Sequence, residues 1–306
     1  MAKNQVKEKV NANVPEETMA EQKSLKPGSL PYVWKQISRN PGAMIGLTIL
    51  VLIVTLSLLS PVIFKYNYAK IDMFNQYATP SWEHPFGCDE LGRDIMTRVF
   101  YGARYTLSIG FASVAISAVL GVILGAVSGF FGGVVDTLIM RFLDIFQAFP
   151  QILLAITLSA VFGTGLDKCI LSLGISAIPN YARMMRANIL TIRGMEYIEA
   201  ARSIGVGSFT IMFRHILPNC LPSLIVLFTL NIPGSILSES SLSFLGIGAQ
   251  SPSTSWGLMV SEGKDYLFTN PVIAIAPGVA ILVLALAFNF LGDGVRDAMD
   301  PYTKQQ

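Results

Sequence analysis

The chain has 306 residues, of which 52% are hydrophobic and 14% are charged, and its mean hydropathy is +0.53. Because charged residues make up about 25% of soluble domains, this composition excludes an ordinary soluble protein and predicts a chain that crosses a membrane several times. The formal net charge of +2 says little about function by itself, because the distribution of charge matters more than its sum. We expect no nucleic-acid partner.

The predicted elements begin with a polar stretch, residues 1–34, which is expected to be a largely disordered cytoplasmic tail. An all-α membrane domain follows over 35–301, and residues 302–306 form a second tail. Because a bilayer core of about 30 Å requires about 20 apolar residues per helix, six spans are predicted in this domain. They lie at about 43–63, 103–125, 135–162, 170–189, 221–245 and 271–291.

Local features refine three of these spans. The glycines and alanines of the second span suit close helix packing. Pro179 is expected to break the fourth span, because proline interrupts helical hydrogen bonding. In the outer segment 64–101, Asp94 and Arg98 have i,i+4 spacing, which favours a short amphipathic helix ahead of the second span. We interpret it as a brace at the membrane interface; a docking surface or a lid over the pore is the alternative.

Lysine and arginine are distributed unequally between the two sides of the predicted bundle. Six spans place both termini on one side, together with the loop 190–218. Most of the 22 Lys and Arg residues fall on this side. The positive-inside rule therefore predicts that both termini and the loop 190–218 are cytoplasmic.

The loop 190–218 is a charged island between apolar spans. Its sequence Glu199-Ala-Ala-Arg-Ser-Ile-Gly205 favours a helix that stops at the glycine, and Leu217-Pro218 is expected to start the next span. Two flanking spans would hold this helix just outside the bilayer, where a soluble partner could bind it. An ordinary loop helix is the alternative interpretation.

Two polar residues of the fifth span, Glu239 and Asn231, are candidates for the substrate path, because ionisable groups within spans usually face a cavity or a partner. Structural packing or a subunit contact is the alternative for Glu239. The glycines near Gly129 lack the Lys-Ser/Thr of a phosphate loop, and no nucleophile–base pair or carboxylate dyad is present, so an enzyme is not expected.

The cysteines and histidines suggest no metal or redox site. Cys88, Cys169 and Cys220 have neither paired nor metal-binding spacing, so they are predicted to be unpaired. The chain has only two histidines, so a histidine-based metal site is not expected.

A family resemblance adds to this interpretation. Glu199-Ala200-Ala201, then Gly205, then Leu217-Pro218, resembles the EAA loop of ABC-importer permeases, although His215 stands where an aliphatic residue is usual. Further motifs extend the resemblance from about Trp34 to Pro301, to the C-type permease subunit of oligopeptide, dipeptide and nickel importers; at Cys88 that family usually has threonine. These motifs are His84-Pro-Phe-Gly-Cys-Asp-Glu-Leu-Gly-Arg-Asp94, Leu242-Ser-Phe-Leu-Gly-Ile-Gly248, Trp256-Gly257 and Asn289-Phe-Leu-Gly-Asp-Gly-Val-Arg-Asp-Ala-Met-Asp-Pro301.

The resemblance implies a type I ABC importer in the bacterial cell membrane. Its partners would be a second permease subunit, two ATPase subunits that bind ATP and Mg²⁺, an extracytoplasmic solute-binding protein, membrane lipid and a peptide substrate; this chain would hold no cofactor. Glu199 and Arg202 would make polar contacts in a groove of the ATPase, Ala200 and Ala201 would allow close approach, and Gly205 would permit the turn. The alternative function is an ATP-independent transporter or channel with Glu239 as its ion or proton site.

Overall fold

A computed structural model describes residues 30–299, and within this range the chain is helical with no β-strand. The predicted tails therefore lie outside the described residues, except for residues 30–34, which are helical. The helices in chain order are α1 Leu30–Arg39, α2 Pro41–Ile63, α3 Ile95–Phe131, α4 Gly133–Gln147, α5 Gln151–Phe162, α6 Leu166–Arg193, α7 Glu196–Ser203, α8 Ser208–Phe244, α9 Trp256–Gly263 and α10 Val272–Met299.

The helicity of residues 30–34 corrects the predicted disorder there, and its cause is packing. Val33 and Ile37 are four residues apart, so they share one face of α1, and that face packs on Val295 and Ala298 of α10. The resulting apolar contact stabilises a helix that the polar composition of the tail did not predict.

Four helices in the described part of the chain, α2, α3, α8 and α10, are long and apolar enough to cross a membrane. The pair α4 and α5 counts as a fifth if the two are taken as one bent span. Helix α6, the predicted fourth span, carries charged residues at both ends and falls short of this apolarity, so the sixth span stays a prediction.

The predicted third span, 135–162, is wrong as a single helix. It consists of α4 and α5, which meet at an angle of 87° across Ala148, Phe149 and Pro150. Pro150 lacks an N–H and disfavours helical backbone in the residue before it, which ends α4 and starts α5.

The predicted break at Pro179 is also wrong, since α6 is continuous through this residue. The reason is tertiary packing: α6 runs alongside α3, and Gly121 of α3 lies directly against the backbone of Ile178 and the side chain of Tyr181 on either side of the proline. Neighbouring helices commonly hold a proline-containing membrane helix together in this way.

Small residues bring α3 and α6 into close contact over most of their length. Gly121, Gly125 and Gly129 follow one another every four residues and face successive turns of α6. A Cβ atom on Gly125 would lie 2.3 Å from the carbonyl oxygen of Ala182. The predicted close packing of the second span is therefore confirmed, and it fixes the position of α6 and of the loop that follows it.

The fifth predicted span starts earlier than expected, because α8 begins at Ser208 rather than at Leu217-Pro218. Residues Ile211–Ile216 form π-helical turns, and the Leu217 N–H donates to the carbonyl of Met212, five residues back. A π-helical turn just before Pro218 accommodates a residue that has no N–H to donate and whose ring would crowd the preceding turn.

Candidate functional site

Helix α7 carries most of the residues predicted for coupling, and a buried residue on its inner face holds it in place. Ile198 is fully buried in a cluster that includes Ile189 and Ile192 of α6 and Ile216 of α8. Ala201 packs partly against the same cluster. The opposite face of α7, with Glu199, Ala200 and Arg202, is exposed.

The end of α7 is fixed by a backbone motif that requires glycine. Gly205 has a φ of +82°, its N–H donates to the Arg202 carbonyl, and the Val206 N–H donates to the Ala201 carbonyl. These two bonds form a Schellman motif, in which the residue after the helix adopts the left-handed conformation. The predicted helix stop at Gly205 has this geometry.

We expect Gly205→Ala to loosen the last turn of α7, because a left-handed backbone costs a residue with a Cβ about 1–2 kcal/mol. Amide hydrogen exchange across the loop 190–218 would detect this as faster exchange at the Gly205 and Val206 amides. Gly207→Ala is the matched control, since Gly207 has a φ of −61° and open space around it. Equal exchange in the two variants would contradict the assigned role of Gly205.

The exposed charges of α7 have no partner within residues 30–299. The side chains of Glu199 and Arg202 make no hydrogen bond or ion pair there. Each charge lies at the end of the helix that its dipole favours, the acid in the first turn and the arginine in the last. Their free functional groups can therefore bind a second protein without first breaking a bond within this chain.

Exposed apolar side chains continue this surface beyond α7. Ile204, Phe209 and Phe213 are 81%, 71% and 64% exposed. Of the two residues predicted to start the next span, Leu217 packs partly into the cluster beneath α7, and Pro218 is exposed. Aromatic and aliphatic groups beside free charges are typical of a protein-docking surface.

Three arginines in and before the loop 190–218 make contacts within this chain. Arg183 and Arg186 make ion pairs with Asp144 and Asp136 of α4. Arg193 donates to the Phe130 carbonyl at the end of α3 over 2.9 Å. These three arginines therefore bind α3 and α4, whereas Arg214 is exposed.

The structure separates the two residues predicted for the substrate path. Asn231 lines a cleft between α3, α5, α6 and α8, whereas Glu239 is fully buried outside it. One carboxylate oxygen of Glu239 accepts hydrogen bonds from Ser243 and Ser255 over 2.7 and 2.8 Å. Glu239 thus links α8 to the loop before α9, and its assignment to the substrate path stays a prediction.

A buried ionic cluster joins the polar segment 64–94 to α3 and α9. We define it as Asp89, Glu90 and Arg93 of the segment, Arg98 of α3 and Glu262 of α9. Asp89 accepts from Arg93 Nε over 2.7 Å and from Arg98 Nη1 over 2.5 Å, and Glu262 of α9 accepts from both guanidinium groups. Burial raises the pKa of Glu90, and the nearby carboxylates of Asp89 and Glu262 add to this shift. The cluster ties segment 64–94 to α3 and α9.

This cluster overturns the predicted brace at Asp94 and Arg98. Asp94 is the N-cap of α3, accepting from the Thr97 N–H over 2.7 Å and contacting His84 Nδ1 over 3.0 Å, while Arg98 binds Asp89 and Glu262. Both residues are buried, and α3 continues without a break into the apolar span. The i,i+4 spacing of Asp94 and Arg98 did not predict their roles, because Asp94 caps α3 and Arg98 makes long-range ion pairs.

The three cysteines are free and buried, so the prediction of unpaired thiols is confirmed. Burial, together with the nearby Asp94 and Asp89 carboxylates, raises the pKa of the Cys88 thiol to about 11, which keeps it protonated at neutral pH. The described residues contain no group of three or more His, Cys, Asp or Glu side chains that could hold a metal ion.

Comparison with known proteins assigns the family. Residues 121–305 match the family model described as binding-protein-dependent transport system inner membrane component, and residues 31–80 match that of the N-terminal TM domain of oligopeptide transport permease C. The chain belongs to the C-type permeases of the peptide ABC importers. The permease is a membrane component of such an importer and not the subunit that hydrolyses ATP.

Similar curated proteins cover nearly the whole permease. It is 39% identical over 271 residues to the dipeptide transport system permease protein DppC of Alkalihalophilus pseudofirmus, and the match covers 89% of each chain. Over 274 residues it is 40% identical to the glutathione transport system permease protein GsiD of Pectobacterium atrosepticum and 43% identical to that of Escherichia coli. Both of these matches cover 89% of this chain and 90% of the relative.

A solved structure supports the predicted type I importer fold. A chain of the MetNI methionine ABC transporter, in an inward-facing conformation, superposes with a TM-score of 0.56 at 23% identity. The match covers 67% of the permease and 98% of that chain. The predictions of family, fold class and transport function are therefore confirmed, and an ATP-independent transporter is not favoured.

Proposed function

We propose that this permease forms half of the membrane pore of a peptide importer and that its surface around α7 docks an ATPase subunit. In this arrangement a second, different permease completes the pore, a solute-binding protein delivers the peptide on the other side, and ATP and Mg²⁺ are bound by two ATPases rather than by this chain. The loop 190–218 and both termini are cytoplasmic, and the domain crosses the membrane six times.

The observation that carries the docking proposal is the combination of a fixed inner face and a free outer face on α7. Ile198 is fully buried, whereas Glu199 and Arg202 are exposed and have no partner within the described residues. A helix held in this way moves together with α6 and α8, into which its inner face packs. Closure of an ATPase bound to its outer face would therefore shift the bundle as a unit.

Coupling by this route requires differential binding. The ATPase and the loaded binding protein must each bind the two arrangements of the bundle with different affinity, since a ligand with equal affinity for both shifts nothing. Buried helix packing favours discrete arrangements over continuous deformation, which suits a two-state transport cycle.

The proposal of peptide as cargo is supported by the relatives. Their names specify dipeptides and glutathione, which is itself a small peptide, over matches that cover about nine-tenths of each chain. We expect proteoliposomes that contain the complete complex to take up a labelled dipeptide or glutathione only when ATP and the binding protein are both present. Uptake without ATP would contradict the proposal.

Charge reversal at the docking surface tests the role of α7. We expect Glu199→Arg to reduce ATP-driven uptake at least tenfold while the two permeases still assemble. The substitution replaces the acidic side chain that faces the ATPase with a basic one. Asp293→Arg is the matched control, since Asp293 is an exposed acid on the last turns of α10. Wild-type uptake and ATP hydrolysis in the Glu199→Arg complex would show that α7 is only a loop helix.

A further inference from the structure

The cleft that contains Asn231 has an uncharged polar lining. It lies between α3, α5, α6 and α8 and has a volume of about 250 Å³. Its polar side chains are hydroxyls and amides, among them Ser113, Gln151, Tyr181, Asn231 and Ser235, and within residues 30–299 no Asp, Glu, Lys, Arg or His lines it. This composition differs from the buried ionic cluster, where charges are concentrated.

Tyr181 lines this cleft and carries an unsatisfied polar group. The residue is 1% exposed, and its hydroxyl is closed off from the cleft surface, with no hydrogen-bond partner within the described residues. A buried hydroxyl without a partner costs about 1–3 kcal/mol, so an opening of the cleft that brings a ligand to this hydroxyl would recover that cost.

Asn231 can contribute further hydrogen bonds. Its Nδ2 donates to the Leu227 carbonyl over 2.7 Å, which orients the amide and leaves its oxygen as an acceptor and one N–H as a donor. Two other groups of the lining are already satisfied, since the hydroxyls of Ser113 and Ser235 bond each other over 2.5 Å. Tyr181 and Asn231 therefore both have free hydrogen-bonding capacity, as does the amide N–H of Gln151, whose oxygen accepts from Asn180.

A peptide main chain matches this pair of groups. Each non-proline peptide unit offers one N–H donor and one C=O acceptor, which an amide oxygen and a phenolic hydroxyl can satisfy together. The cleft volume is slightly below the roughly 300–1,000 Å³ of small-molecule sites, so it suits a part of a peptide, with the rest held outside this subunit.

The absence of charge in the lining has a physical consequence for transport. A fixed charge at about 4 Å would change the binding energy of a charged cargo side chain by about 4 kcal/mol near a protein surface. Such a site would retain peptides of one sign and repel those of the other. A transport path must bind its cargo weakly enough to release it, and neutral hydrogen bonds meet this requirement for any side chain.

We propose that the cleft is a subsite of the transport path in which Tyr181 and Asn231 bind a main-chain amide of the peptide without selecting for the charge of its side chains. The proposal rests on the proposed function, because it requires that peptides pass through this permease. It assigns the two residues to cargo binding and leaves ATPase coupling to α7.

The test uses Tyr181→Phe, which removes only the hydroxyl, in the complete complex in proteoliposomes. Initial uptake rates would be measured for three dipeptides that differ in one side chain, namely leucine, lysine or glutamate. We expect about a fivefold to tenfold loss of uptake for all three, with ATP hydrolysis stimulated by the loaded binding protein as in wild type. Asn231→Leu should produce the same pattern.

Thermal stability separates cargo binding from a structural role. Because no residue in the described part of the chain hydrogen-bonds the hydroxyl, Tyr181→Phe should leave the unfolding temperature unchanged or raise it, whereas loss of a structural bond would lower it. Tyr105→Phe is the matched control, since the Tyr105 hydroxyl bonds that of Tyr68 and lies away from the cleft.

Three outcomes would overturn the subsite. They are unchanged uptake in Tyr181→Phe, a loss confined to one of the three dipeptides, and a loss accompanied by a lower unfolding temperature. Failure of the wild-type complex to import any of the dipeptides would instead contradict the proposed function, so the two failures are distinguishable.

Discussion

Asp89→Asn is expected to lower the free energy of unfolding by about 3–5 kcal/mol, because it removes one of the two carboxylates that both buried arginines bind. The side chain of Asp89 is fully buried, and those of Arg93 and Arg98 are 5% and 2% exposed. Glu262 alone would then face both guanidinium groups, and water cannot reach them to compensate. Asparagine has nearly the same shape as aspartate, so the loss measures charge rather than volume.

Thermal or denaturant unfolding of the detergent-solubilised complex measures this effect. Asp144→Asn is the matched control, because Asp144 also pairs with two arginines, Arg141 and Arg183, but its side chain is 43% exposed. Ion pairs in contact with solvent contribute a median of about 0–1 kcal/mol, so the control should lose far less stability. Similar losses in the two variants would show that the buried ionic cluster has no special role.

The buried ionic cluster also shows where sequence reasoning ended. Hydropathy located the apolar helices well: α2 spans Pro41–Ile63 against a predicted 43–63, because lipid-facing residues are apolar whatever their tertiary neighbours. The partner of Arg98, however, includes Glu262, which is 164 positions away along the chain. No local spacing in the sequence identifies such a pair. The motif around Asp89 resembles that of a family, but the sequence does not show that its charged residues form a buried ionic cluster.

Two prolines lead to a similar conclusion: Pro179 was predicted to break a helix and does not, whereas Pro150, for which nothing was predicted from the sequence, lies where one helix ends. Pro179 and Pro150 have the same local chemistry, yet α6 continues through the first and the chain turns by 87° at the second. On either side of Pro179, Ile178 and Tyr181 pack against Gly121 of α3. The difference between the two sites is tertiary, so a rule based on the proline alone could not separate them.

The functional residues show the same contrast between what local sequence determines and what tertiary arrangement determines. Gly205 was predictable, because a helix stop is a local backbone requirement that glycine meets. The positions of the two residues predicted for the substrate path were not predictable, since Asn231 and Glu239 are eight positions apart on the same helix. Only the arrangement of α5, α6 and α9 decides that the first lines the cleft and the second binds Ser255. The sequence does not single out Tyr181, because its distinguishing feature is a buried hydroxyl without a hydrogen-bond partner among the described residues. Only the structure shows this feature.

Gly125→Ala is expected to destabilise the permease, although alanine normally favours a helix. The added Cβ would lie 2.3 Å from the carbonyl oxygen of Ala182 and 2.9 Å from the Cβ of Met185. The first of these is a backbone atom that cannot rotate away, so α3 and α6 must separate along the contact that fixes both. Overpacking of this kind costs about 1–3 kcal/mol and more where backbone must move.

Gly278→Ala is the control that makes this prediction sharp, because the sign of the effect should reverse. Gly278 lies inside α10 with open space where a Cβ would point. Alanine there should stabilise the helix by about 0.5–1 kcal/mol, since it loses less conformational freedom than glycine on folding. The two variants add the same methyl group to a helical glycine, so unfolding midpoints that moved in the same direction would show that helix propensity, and not close contact between α3 and α6, decides the role of Gly125.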